Sequence, residues 1–165
     1  MNSRLVLLHG WGATADDLEP LGRSLANAMD HSTEVMALEA PHLHPQPPGR
    51  QWYALFPADW DAVPAAIEAL QKRLTTITSQ GAPMKRTVLL GFSQGGAMAL
   101  HSGCSLPLAG VISCIGYPHP DWQPAEHHPP VLAMHGQQDT IVPATALDAI
   151  AELLESDRCQ TISFN

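Results

Sequence analysis

The sequence has no apolar run approaching the ~18 residues of a membrane-spanning helix. After Arg4 only Leu5–Leu8 is apolar before His9, too short for the hydrophobic core of a signal peptide. These absences lead us to expect a soluble, cytoplasmic chain without a membrane span. Cations are scarce as well: 8 Lys and Arg stand against 16 Asp and Glu, a net charge of −8. Such a surface repels phosphate backbones and anionic lipid, which argues against a nucleic-acid partner. The three cysteines (Cys104, Cys114 and Cys159) are scattered and form no CxxC pair, so neither a disulfide framework nor a cysteine zinc site is suggested. They read as buried free thiols. Charged residues make up 15% of the chain, below the roughly 25% of an average soluble protein. Hydrophobic residues make up 45%, so the 165 residues can bury a sizeable core within one domain.

Short apolar runs alternate with helical periodicity. Leu5–Leu8, Glu34–Leu38, Thr87–Leu90, Gly110–Ile115, Val131–Met134 and Gln160–Phe164 read as strands. Leu18, Leu21, Leu25 and Ala28 recur at helical spacing, and Thr14 is placed to cap that helix, with Asp16 and Asp17 at its positive end. Val63, Ile67, Leu70, Leu74 and Ile77 mark a second helix, Gln94–Cys104 a third, and Pro143 opens a fourth that runs through Leu154. Strand–helix alternation predicts a parallel sheet covered on both faces. Two proline-rich stretches, Pro41–Gly49 and Tyr117–Pro130, interrupt the pattern and read as irregular loops walling a ligand crevice.

The strongest chemical signal is Gly91-Phe-Ser93-Gln-Gly95-Gly96. It places G-x-S-x-G directly after an apolar strand and directly before a helix, the context a nucleophile elbow requires. Such a turn is too tight for flanking side chains, forces the serine into a strained conformation and exposes its hydroxyl. The alternative is a glycine-rich turn with an incidental serine.

A second glycine-rich segment, Leu8-His-Gly10-Trp11-Gly12, follows the first strand. In the hydrolase reading, the backbone N–H groups of Trp11 and of Gln94 form the oxyanion hole. Fixed donors of this kind are worth about 2.7–4 kcal/mol each. Gly10-Trp-Gly12-Ala-Thr-Ala15 also fits the dinucleotide fingerprint G-x-G-x-x-A, with Glu34 near the acidic position. The bulky Trp11 and the downstream serine elbow weigh against that reading.

Asp139 lies just past the strand Val131–Met134, on the side of the sheet where catalytic residues gather. It is the candidate acid that orients a histidine, and alternatively a turn aspartate. The order Ser…Asp should continue to a histidine. None of the 9 histidines follows Asp139. His9 belongs to the oxyanion loop, and His135 is expected to brace the Asp139 loop. His101 lies two helical turns past the elbow, and His31 lies after the first helix. His42, His44, His119, His127 and His128 sit in proline-rich loops and are expected at the surface. The pairs His42/His44 and His127/His128 lack a neighbouring carboxylate or cysteine at ligand spacing, so no metal site is assigned.

Leu8-His-Gly-Trp-Gly12, Gly91-Phe-Ser-Gln-Gly-Gly96 and His135-Gly-Gln-Gln-Asp139-Thr-Ile-Val-Pro143 together resemble the phospholipase/carboxylesterase family of small α/β-hydrolases, which includes the acyl-protein thioesterases. The stretch from Pro41 into Arg50-Gln-Trp52-Tyr53 resembles the same family, so the likeness covers nearly the whole chain. It implies a three-layer α/β-hydrolase fold with a mostly parallel sheet, and a cofactor-free esterase or thioesterase acting on a small acyl ester or thioester. Ser93 matches the nucleophile, Asp139 the acid, and the Trp11 and Gln94 amides the oxyanion donors. The family histidine lies in a Gly-His step after the last strand. Here Thr161–Asn165 ends the sequence where that step would begin, so residues 1–165 are expected to form one domain that lacks its base and C-terminal helix. Trp52 and Tyr53, with Phe56 and Trp60, are candidates to line the acyl site, or else pack as ordinary core. A lipase or peptidase chemistry and a non-catalytic binding protein are the alternatives, and the oligomeric state is open.

Overall fold

The computed structural model describes residues 2–29 and 32–165; His31 lies outside the described residues. Strand β1 (Ser3–Leu8) leads through helix α1 (Glu19–Ala28) to β2 (Thr33–Leu38). Two short strands, β3 (His42–Leu43) and β4 (Arg50–Gln51), precede helix α2 (Val63–Thr78). Then come β5 (Thr87–Phe92), α3 (Gln94–Gly103), β6 (Gly110–Cys114), β7 (Val131–Gly136), α4 (Thr145–Leu153) and β8 (Cys159–Phe164).

Six strands form one sheet in the order β2-β1-β5-β6-β7-β8, and every neighbouring pair is parallel. Strand β5 pairs with β1 on one side and β6 on the other, which sets the Ser93 turn near the middle of the sheet's C-terminal edge. Among the described residues no helix is long and apolar enough to cross a membrane.

Side chains alternate between the faces of a strand, and the two faces here are unequal. Val6, Leu8, Leu89, Val111 and Ala133 pack with Leu70 and Leu74 of α2, Met98 and Leu100 of α3, and Ile150 of α4. Each large side chain fully buried there contributes about 1.5–3 kcal/mol. The opposite face carries a smaller cluster of Leu5, Leu7, Leu90 and Cys114, with Leu18 among the residues packed on it. Helix α1 contacts β1 and β2 on this side and leaves Leu21, Leu25 and Met29 exposed. An apolar groove of about 550 Å³, lined in part by Leu5, Leu25, Met29, Leu90 and Ile112, runs along it.

The structure departs from the sequence-based expectations in three places. Thr14 does not cap α1: a 3-10 turn at Ala15–Asp17 intervenes, in which Asp17 accepts from the Thr14 N–H (2.8 Å) and hydroxyl (3.1 Å). Helix α1 then starts with Pro20 in its first turn, where a missing N–H costs nothing. Helix α4 begins at Thr145, after Pro143 and Ala144 accept bonds from Ala146 and Leu147 in i→i+3 turns. The Pro41–Gly49 stretch is less irregular than its composition suggests. β3 and β4 pair antiparallel across it, with His42 opposite Gln51 and Leu43 opposite Arg50.

Candidate active site

Ser93 occupies the turn between β5 and α3 with φ 52° and ψ −115°. Left-handed backbone is rare for a residue with a side chain, and the surroundings hold it there. The Ser93 N–H donates to the Cys114 carbonyl at the end of β6 (2.8 Å), and the Ser93 carbonyl accepts from Ala97 in α3 (3.0 Å). A Cβ on Gly91 would overlap the carbonyl of Gly95, and one on Gly95 would overlap the carbonyl of Leu8. The glycines of G-x-S-x-G are thus required by close approach. Ser93 itself is partly exposed, whereas Gln94–Leu100 are buried.

The segment after β1 lies against this turn. A Cβ on Gly10 would sit 3.3 Å from the Phe92 carbonyl oxygen and 3.5 Å from Ser93 Cβ. Arg50 fixes the segment from the far side: Gly12 N–H donates to the Arg50 carbonyl and Arg50 N–H to the Ala13 carbonyl, both at 2.9 Å. The proline-rich loop therefore buttresses the Trp11 region. Among the described residues no protein acceptor takes the Trp11 N–H. The Gln94 N–H is among those left open at the start of a helix, where the dipole favours negative charge. The dinucleotide reading would leave the Gly12 amide for phosphate, but Arg50 has already taken it.

Side chains behind these two amides are tightly bonded. His9 is fully buried; its Nδ1 donates to the Gly10 carbonyl (2.7 Å) and its Nε2 accepts from Ala40 N–H (3.0 Å). Trp52 Nε1–H donates to the His9 carbonyl (2.9 Å). The Gln94 side chain accepts from Trp52 N–H (3.0 Å) and donates to the Tyr53 carbonyl (2.8 Å). Trp52 and Tyr53 are each 2% exposed. They pack in the core instead of lining an open acyl surface. Of the aromatics in this region, Phe56 and Trp60 are exposed: Phe56 lies 5.1 Å from the Trp11 ring in an edge-on arrangement, and Trp60 packs beside Tyr53.

Asp139 follows β7, two strand positions from β5. Its Oδ1 accepts from Ile141 N–H (2.8 Å) and Val142 N–H (2.7 Å). These bonds, the Val142 one foremost, hold its carboxyl below the usual carboxylate range. Asp139 thus fills the turn-aspartate role with Oδ1, while Oδ2 has no protein partner among the described residues. His135 braces the loop as expected, through an Nε2 bond to the Val142 carbonyl (2.9 Å).

The loop histidines correct the sequence reading. Only His42 and His127 are exposed, while His44, His119 and His128 are buried at 7%, 3% and 3% exposure. His44 packs against the Trp11 ring (4.0 Å between centroids), and His128 accepts from Glu155 N–H (3.1 Å). His119 contacts His101, Nδ1 to Nδ1 at 2.9 Å, and Tyr53 Oη at 2.8 Å; Tyr53 Oη also contacts Tyr117 Oη at 2.8 Å. Composition hides these roles because proline-rich loops read as surface, and the partners named here are remote in sequence.

The larger grooves, of about 780 and 550 Å³, include neither Ser93 nor Asp139 in their walls, so volume alone does not mark the site. Comparison with known proteins identifies the family. Residues 2–163 match the family model described as Phospholipase/Carboxylesterase. Acyl-protein thioesterase 1 of Eremothecium gossypii is 28% identical over 108 residues, covering 61% of this chain and 46% of that protein. Acyl-protein thioesterase 1 of Neurospora crassa is 28% identical over 174 residues, covering 84% of this chain and 67% of that protein. Against the first of these relatives the chain thus spans about half the length. The crystal structure of esterase PE8 superposes with a TM-score of 0.82 at 31% identity, covering 98% of this chain and 81% of that one. Arabidopsis thaliana SOBER1 shares the fold, with a TM-score of 0.73 at 21% identity, covering 99% and 89%. The chain belongs to the phospholipase/carboxylesterase family of α/β-hydrolases.

Proposed function

We propose that the protein is a serine carboxylic-ester hydrolase, an esterase or thioesterase, that forms an acyl-enzyme on Ser93. The observation that carries this is the strained Ser93 turn, enclosed by Gly91 and Gly95 and backed directly by Gly10. Relatives that are acyl-protein thioesterases and a superposable esterase support the same reading. A base takes the Ser93 proton and Oγ attacks the acyl carbonyl. The Trp11 and Gln94 N–H groups hold the developing oxyanion. The alcohol or thiol leaves with the proton, and water then releases the acid. The chemistry requires no cofactor, and the cytoplasm is the proposed setting.

Asp139 is assigned to orient the base through Oδ2. Strand ends two positions apart are separated by about 10 Å, and an imidazole spans the space between nucleophile and acid in a triad. No histidine follows Asp139 in these 165 residues. Turnover by this chain alone is therefore expected to lie about 10⁶-fold below that of a complete triad. For the acyl group we assign the half-buried Trp11 and the exposed Phe56 as the apolar wall, with Trp52 and Tyr53 supporting it from behind. Substrates are small or extended acyl esters and thioesters.

The alternative reading is ligand capture without catalysis at the same site. Turnover of p-nitrophenyl acetate, longer esters and acyl thioesters by this chain and by Ser93→Ala, with and without added imidazole, separates the two. A Ser93-dependent rate that grows with imidazole supports the hydrolase and ranks its substrates. Equal rates for both proteins at every imidazole concentration would sink it in favour of capture.

A further inference from the structure

Gln94 and His101 are seven residues apart on α3, and positions i and i+7 share one helix face. Both reach Tyr53, by different routes. Gln94 binds the backbone on either side of it, accepting from Trp52 N–H and donating to the Tyr53 carbonyl. His101 contacts His119 Nδ1, and His119 Nε2 contacts the Tyr53 hydroxyl at 2.8 Å. A closed ring of contacts therefore runs from α3 through the Tyr53 backbone, along its side chain and back to α3. Tyr117 adds a second contact at the hydroxyl, Trp60 packs over Tyr53, Tyr117 and His119, and Trp122 packs beside His101.

The braced dipeptide touches both halves of the oxyanion pocket. Trp52 holds the His9 carbonyl, next to Gly10 and Trp11, through its indole N–H. Gln94 supplies the other amide. Buried polar groups earn little net stability, because each loses its hydration, but a fully satisfied network fixes position. His119 uses both ring nitrogens in this way at 3% exposure. Apolar side chains would fill the same space without defining where the Tyr53 hydroxyl must sit.

We propose that His119, steadied by His101, is a positioning residue for acyl transfer: through Tyr53 it sets the Trp52–Tyr53 bridge and, with it, the spacing of the Trp11 and Gln94 amides. The proposal rests on the hydrolase reading above. His119 does not touch the acyl group. Its effect falls on stabilisation of the tetrahedral intermediate, which is made only during reaction, so kcat carries the loss and KM does not.

The test uses Tyr53→Phe, which keeps the ring and removes the hydroxyl, together with His119→Ala and His119→Gln, whose amide reaches the place of Nε2. Ester turnover is measured with added imidazole, beside the NMR resonances and hydrogen exchange of the Gln94 side-chain amide and the Trp52 indole N–H. Tyr53→Phe and His119→Ala are expected to lower kcat by about 10- to 100-fold, the scale of an ångström of misplacement. KM should stay within about twofold, since ground-state binding is untouched. The Gln94 and Trp52 protons should exchange faster in both, and His119→Gln should recover most of the loss. Unchanged kcat in folded variants, a loss confined to KM, or a His119→Gln variant as impaired as His119→Ala would overturn the proposal. A parent protein without Ser93-dependent turnover would instead refute the hydrolase reading and the catalytic half of this one. The exchange data still decide the brace: protons unmoved in Tyr53→Phe would overturn it.

Discussion

The turn that carries Ser93 and the loop that carries Asp139 leave the same edge of one sheet, yet they are built in opposite ways. Ser93 is held from all sides by packing: its glycines touch the Leu8 and Gly95 carbonyls, its amide is tied to β6, and the helix behind it is buried. Asp139 is held locally, by two bonds from its own carboxylate to amides two and three residues on, with His135 bracing the loop below. In the proposed reading Ser93 is the nucleophile and Asp139 orients its base; the positive φ of Ser93 persists only where many contacts over-determine it. An orienting carboxylate needs only an aim, which a short turn supplies. One half of the site therefore depends on the whole fold, the other on a few neighbouring residues.

Four perturbations, taken from the largest expected effect to the smallest, sharpen that contrast. Gly95→Ala drives a Cβ into the Leu8 and His9 carbonyls, where only backbone can yield. Its loss of stability should reach about 4 kcal/mol or more in chemical denaturation, the range reserved for broken cores. Gln94→Ala strands the Trp52 amide and Tyr53 carbonyl in the interior. With buried unsatisfied groups costing about 1–3 kcal/mol each, the same measurement should show about 2–6 kcal/mol.

Acid comes next. Burial, helped by the neighbouring His101, pushes His119 down to about 3 from an ordinary 6.5. Below the ordinary value the unfolded chain takes up a proton that the folded one refuses. Stability should therefore be unaffected by this group above pH 6.5 and fall between pH 6.5 and 3, by up to about 1.4 kcal/mol per pH unit. Urea titrations across that range read it, and His119→Gln should flatten the slope. The smallest effect belongs to Asp139→Asn, whose amide oxygen can still accept from Ile141 and Val142. A stability change within about 0.5 kcal/mol is expected, and a loss as large as that of Gln94→Ala would erase the contrast between the two halves.

Much of this could be read from the sequence, for reasons that differ by residue. β1, β5 and β7 are buried strands with short apolar runs, and the Ser93 turn announces itself because sterics leave few alternatives to glycine at positions 91 and 95. What escaped was set by contacts between distant loops. His119 is buried by Tyr53, 66 residues away, and Trp52 by Gln94, 42 residues away. Neither separation leaves a local trace, so the sequence left Trp52 and Tyr53 open between acyl-site lining and core, and His119 read as a solvated loop residue. The pairing of β3 with β4 escaped for a related reason. Proline content argues for irregular chain, while the two bonds that Arg50 makes with the Gly12–Ala13 backbone become visible only once β1 lies beside β5.

The most direct test of the central claim is intact-mass spectrometry of the protein after brief exposure to an activated acyl ester with imidazole, quenched in acid. The account predicts a single acyl adduct that maps to Ser93 and is absent from Ser93→Ala. No adduct, or one that persists in Ser93→Ala, would contradict the assignment of Ser93 as the nucleophile.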